Sequence, residues 1–154
     1  MPLSFNQIRK IISENKTTFD LKYDFKDGRG PVPANQHPNG GGWVANTARV
    51  ADTAYVGRNA KVYGKAQVSD KAQVADNARV TDNAKVSGRA MIYDYAKVSG
   101  NAQVYGNANV FGMANVYGGA RVYDNAKVSG NARVFNVAWV SGNQVVKGNE
   151  KIGK

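Results

Sequence analysis

The sequence predicts an all-β chain: a left-handed parallel β-helix of about six eighteen-residue coils, with an N-terminal helix and strand as its cap. Three observations predict it. An aliphatic residue recurs at every sixth position from Val44 to Ile152, nineteen times without an insertion. Two residues before it stands Ala, sixteen times running from Ala48 to Ala138. Two residues after it stands Gly or Asp in most repeats, often followed by Asn, as at Asn59, Asn77, Asn101 and Asn131. A six-residue apolar period fits neither the 3.6-residue nor the 3.5-residue repeat of helices, even though Ala favours helix.

Each position of the hexad has a physical reason. In an extended segment side chains alternate between faces, so the Ala and the Val two residues later point the same way, inward. The residue between them and the residue after Val point outward. The Gly/Asp–Asn pair then makes a tight corner, because these residues tolerate a positive φ that Val and Ile do not. One short strand and one corner per hexad give three sides and eighteen residues per coil. With coils about 4.8 Å apart, six of them make a prism roughly 29 Å long. The narrow interior explains a core of Ala and Val with little Leu.

Two segments are expected, residues 1–42 as an N-terminal cap and residues 43–154 as the β-helix. Ser4 and Gln7 read as a capping box, opening a helix that carries Phe5, Ile8, Ile11 and Ile12 to about Glu14. Phe19, Leu21, Tyr23 and Phe25 alternate with polar residues and read as a strand. Lys26–Asp27–Gly28 reads as a turn, and residues 29–42, rich in Pro and Gly, as an extended loop. Solenoid ends need covering because they expose core and unpaired strand edges.

The chain has 21 Lys and Arg against 11 Asp and Glu, a net charge of +10. Residues 43–154 hold fifteen of the basic and seven of the acidic side chains, so they carry +8. A basic surface concentrates anionic partners, and it also keeps an open-ended rod soluble. There is no Cys, which suits a reducing cytoplasm and excludes disulfides and thiolate metal sites. No leader-like or membrane-spanning run is seen.

The fixed period sorts the outward residues by side. The first side, centred on Val44, Val62, Val80, Val98, Val116 and Val134, carries Lys61, Arg79, Lys97, Asn115 and Arg133 in one row. Tyr63, Tyr117 and Phe135 fall in the parallel row. Cations and aromatics so placed are the candidate partner-binding face, for an acidic protein surface or for nucleic acid or nucleotide. The third side is the most apolar. Tyr55, Met91, Tyr93 and Phe111, with Trp139 from the second side, are the candidate contact in a homo-oligomer, a trimer or a dimer. At the corners Asp52 and Asp70, and Asp76 and Asp94, stack in pairs, but Asp is an ordinary corner residue, so no metal site and no cofactor are expected.

This hexad resembles the left-handed β-helix superfamily, over about 109 of the 154 residues. That superfamily includes hexapeptide acyltransferases and γ-type carbonic anhydrases. The resemblance implies the fold; it carries no active site to this chain. Zinc held by three His is ruled out, since His37 is the sole histidine. An acyltransferase implies a basic His and a loop extruded from a coil, and nineteen unbroken hexads leave no such loop. His37 at a subunit interface keeps that alternative open. More narrowly, Gly41-Gly42-Trp43-Val44 leading into units such as Asn59-Ala60-Lys61-Val62-Tyr63-Gly64 and Asn101-Ala102-Gln103-Val104-Tyr105-Gly106 looks like small hexapeptide-repeat proteins of phages and prophages. That likeness implies an accessory role, such as inhibiting a host protein or nucleoprotein complex. The reading is therefore a non-enzymatic binding protein, with an interface acyltransferase and an inert spacer as alternatives.

Overall fold

The computed structural model describes residues 2, 4–7 and 21–154. Two strands, β1 (Lys22–Tyr23) and β2 (Val32–Gln36), precede nineteen short ones, one per hexad, from β3 (Trp43–Ala45) to β21 (Lys151–Gly153). Every third strand pairs in parallel at a step of eighteen residues, Lys61 opposite Arg79 and Arg79 opposite Lys97. Three sheets of nine, six and six strands result. They form the three sides of a parallel β-solenoid of about six coils, and no helix among the described residues is long and apolar enough to cross a membrane.

The interior follows the hexad. Every hexad Ala from Ala54 to Ala138 is 0 % exposed, and every Val or Ile from Val56 to Val134 at most 1 %. Outward N–H groups donate to the next coil, as Lys97 does to the Ala114 carbonyl at 2.9 Å and Ser99 to that of Val116 at 2.9 Å. The corners are β-turns such as Tyr93–Ala96, closed by the Ala96 N–H on the Tyr93 carbonyl at 3.2 Å. From Gly64 onward positive φ falls on the first central residue: on Asp70, Asp76, Asp82, Asp94, Asp124 and Asn136, and elsewhere on Gly. The Asn that follows has ordinary φ. Positive φ at the first central residue alone is the pattern of a type II′ turn. It refines the expectation that the whole Gly/Asp–Asn pair shares the special conformation.

Residues 21–42 are bound to the first coil. Ser4 and Gln7 form the expected capping box, with the Gln7 N–H donating to Ser4 Oγ at 3.2 Å and the Ser4 N–H to Gln7 Oε1 at 2.7 Å. The continuation of that helix to Glu14, and Phe19 of the expected strand, lie outside the described residues. Residues 32–36, expected within an extended loop, are instead β2, paired antiparallel with both β1 and β3. Pro31, Pro33, Pro38 and the glycines on either side hid a strand whose partners are the one before it and the one after it. Pro33 is tolerated there because its carbonyl still accepts the Asn46 N–H at 2.9 Å, so the pair keeps one of its two bonds. The Gly40–Gly42 run has a steric reason. A Cβ on Gly40 or Gly42 would collide with the Val56 and Gly57 backbone, which these residues approach to pair with it.

At the other end the last coil consists of β19 (Trp139–Val140), β20 (Val145–Val146) and β21, with no further strand beyond them among the described residues. There the inward Ala position becomes Gln144 and Glu150, both exposed. Gln144 Oε1 accepts the Ser141 N–H at 2.8 Å, where the equivalent Tyr123 N–H donates to the Val140 carbonyl.

Corner geometry sets a sharp contrast. Gly88 has φ +68°, and a Cβ there would sit 3.0 Å from the Gly106 backbone nitrogen, whereas Gly142 has φ +58° with open space around it. Gly88→Val should cost on the order of 1–3 kcal/mol in denaturant unfolding, and Gly142→Asn well under about 1 kcal/mol. Equal losses for both would contradict this account of the corners.

Candidate functional site

The first side gathers the predicted cations as an in-register row. Strand pairing sets Trp43 opposite Lys61, then Arg79, Lys97, Asn115, Arg133 and Lys151 in succession. Neighbouring rungs are about 4.8 Å apart. Neither outward row of this side contains a carboxylate. Among the described residues the ion pairs are Lys26–Asp24 and Arg29–Asp27, both local to one turn, so none of these rungs is in one. Lys151 was not among the expected residues, although the period that places Ile152 inward also places it here.

The aromatic row divides in two. Tyr117 and Phe135 stack at 5.4 Å with their rings 11° apart, half-buried beside Asn115 and Arg133. Phe135 also lies across Gly153, where a side chain would strike the ring. Tyr63, by contrast, is 8 % exposed and stacks against Phe25, itself 1 % exposed, at 4.8 Å. Tyr23 stacks on Trp43 at 4.4 Å and meets Phe25 edge-on. Tyr23 and Phe25 thus cover the start of the face and bury the Tyr63 ring. Burial pushes the Tyr63 phenol above its ordinary pKa range, against the opposing pull of the Arg79 guanidinium.

The same segment engages the first rungs. Lys61 Nζ lies 5.2 Å from the Tyr23 ring centroid. Hydrogen bonds from the Lys26 side chain and N–H hold Asp24 below the usual carboxylate range, and the Lys61 charge adds to this. The rungs that remain open are Lys97, Asn115, Arg133 and Lys151, with Arg79 at their margin.

The apolar candidates do not form one surface. Met91 lies on the third side, and Tyr93 and Phe111 beside it stack in parallel at 5.0 Å. Tyr55 is two coils away on that side, against the Gly40 and Gly57 corner. Trp139 is on the second side, beneath the Arg121 guanidinium at 5.6 Å. Two corner residues outside the predicted set extend the patch instead: Tyr95, 68 % exposed, and Met113, 61 % exposed. They turn it toward Lys97 and Asn115.

His37 is 6 % exposed. Its Nε2 is 3.2 Å from the Ala51 carbonyl, and its Nδ1 3.3 Å from the Asn39 N–H. The ring Nδ1 also lies 3.1 Å from the Asn39 carbonyl, so both ring nitrogens are held by backbone groups. Together with Asn39 Nδ2 on the Ala54 carbonyl at 2.9 Å, the ring ties the glycine run to the first coil. Of the stacked corner Asp residues, Asp70, Asp76 and Asp94 are also committed, Asp76 accepting the Asp94 N–H at 3.2 Å. Asp70, Asp82 and Asp94 each accept the backbone N–H eighteen residues on, from Gly88, Gly100 and Gly112, at 2.8–2.9 Å. Their role is to clamp successive coils.

The YdcK beta solenoid repeat family model matches residues 126–142, nearly one coil of this chain. No curated protein and no solved structure gives a significant match.

A raised phenol favours the neutral form in the fold, so its contribution to stability is present below about pH 10 and is lost as pH rises through the folded value. Melting temperature followed from pH 9 to 11.5 should fall less steeply in Tyr63→Phe than in the parent. An unchanged slope would contradict the burial described for this ring.

Proposed function

We propose that this chain is a non-catalytic binding protein whose first side, through Lys97, Arg133 and Lys151 beside Tyr117 and Phe135, engages an anionic partner. The observation that carries the reading is the in-register row of cations without a carboxylate in either outward row. Like charges this close repel, and the fold does nothing to separate them. An anion laid along the row relieves that repulsion and gains charge-assisted hydrogen bonds. The second side, with Arg49, Lys85 and Arg121 separated by Gln67 and Gln103, never sets two cations on neighbouring rungs.

The likeness to phage and prophage hexapeptide-repeat proteins supports a more specific version, in which the partner is a host protein or nucleoprotein complex that the chain inhibits. Against the interface acyltransferase stands His37, whose ring is buried and has both nitrogens engaged. The patch of Met91, Tyr93, Phe111, Tyr95 and Met113 is the surface through which we propose self-association, as a trimer or a dimer. Phe111→Glu should then lower the sedimentation coefficient to that of a monomer. An unchanged coefficient would remove this part of the reading.

Polyanion binding tests the main proposal. The parent should bind heparin or polyglutamate with an affinity that drops steeply between about 50 and 200 mM salt, as counterion release requires. Lys97→Glu with Arg133→Glu should weaken it at least tenfold, while Lys71→Glu with Arg89→Glu, at the corner between the other two sides, should not. Equal losses for the two pairs would mean that net charge alone is at work.

A further inference from the structure

We infer that the open part of the first side is shaped to receive an acidic amphipathic α-helix lying along the solenoid axis, an inference that rests on the anion-binding reading above. The argument is one of periods. From Arg79 to Lys151 the row has five rungs and four steps, set by strand pairing. At about 4.8 Å per step the row is roughly 19 Å long and straight.

An α-helix advances about 5.4 Å per turn. Carboxylates spaced alternately three and four residues apart form a stripe along one helix face, one per turn. Across four turns such a stripe is roughly 22 Å long, so the two rows drift apart by about 2–3 Å in total. Long Lys and Arg side chains absorb that difference. An extended acidic peptide fits less well. Its same-face carboxylates repeat every two residues, about 6.7 Å, and fall out of step by a full rung within three positions. The phosphates of duplex DNA wind about their axis, so a straight row of rungs meets few of them before the strand turns away.

The neighbouring row supplies the second half of the recognition. Tyr117 and Phe135 stand two residues along the strands from Asn115 and Arg133, with Val116 and Val134 pointing inward between them. A partner on this side therefore meets cations along one margin and stacked rings along the other. A helix with an acidic stripe beside an apolar one satisfies both, in the manner of a helix laid in a groove. Asn115, whose Nδ2 is already donated to the Met113 carbonyl at 3.0 Å, adds a neutral rung that a helix turn without a carboxylate can face.

The probe is a stapled 21-residue helical peptide carrying Glu at alternate three- and four-residue spacing with Leu on the adjacent stripe. Its control is a stapled peptide of the same composition with the Glu residues spread around the helix. Single- and double-stranded oligonucleotides of matched charge complete the set, all read by fluorescence anisotropy. The striped helix should bind at least tenfold more tightly than the control. Lys97→Gln with Arg133→Gln should abolish the preference, and so should the single Lys151→Gln in weaker degree, with circular dichroism verifying each fold. Equal binding of the two helices, or tighter binding of an oligonucleotide than of the striped helix, would overturn the inference while leaving an anion-binding face. Failure of the parent chain to bind any probe would overturn that reading as well.

Discussion

The backbone hydrogen bonds between coils govern this molecule. Before the last coil, outward residues donate to a carbonyl seventeen positions on and are paired with the residue eighteen on, so an error of one residue would turn a whole coil inside out. That constraint explains why the hexad runs from Val44 to Ile152 without insertion. It explains the size of the core residues as well, since three short sides around a common axis leave room for Val at mid-side and Ala near the corners. The corners are held to the same rule. From Gly64 onward Gly, Asp or Asn takes the positive φ, and where Asp does so its carboxylate accepts a backbone N–H of the following coil. A residue type that looks like a metal ligand in the sequence is thus spent on holding coil to coil.

A scaffold this regular has consequences for where function can reside. The interior is filled, the coils extrude no loop, and the lone histidine is fastened to the backbone under which it lies. What varies from coil to coil is the outer surface, and the register turns a sequence repeat of eighteen into straight rows of like side chains. Tyr93 over Phe111, Tyr105 over Tyr123 and Tyr117 over Phe135 are rows of this kind, each stacked in near-parallel. The cation row is another. Aromatic rungs stabilise one another, whereas cationic rungs repel, and that asymmetry is what singles out the first side as a place for a partner.

Much of this was legible in the sequence because a period of six needs no knowledge of tertiary contacts. Lys61, Arg79, Lys97 and Arg133 were placed in one row from spacing alone, and the pairing places them so. The parts that escaped depend on contacts that the six-residue period does not encode. Residues 32–36 look like a Pro- and Gly-bounded loop until β1 and β3 are set on either side of them. Tyr63 shares its hexad position with Tyr117, and nothing local distinguishes a ring that Phe25 will cover from one left half-open. Tyr95 and Met113 occupy a corner usually given to Asn, and their exposure becomes meaningful only beside Met91, Tyr93 and Phe111.

If the arrangement of charge is what makes the first side a binding surface, then moving charge without changing its amount is the most direct test. In a variant carrying Lys97→Gln, Arg133→Gln, Gln73→Lys and Asn143→Lys, the net charge stays at +10 while two rungs leave the row for isolated exposed positions. Heparin affinity measured at fixed salt should fall at least tenfold with the fold intact by circular dichroism. An affinity equal to that of the parent would show that the row itself does nothing, and would contradict the account.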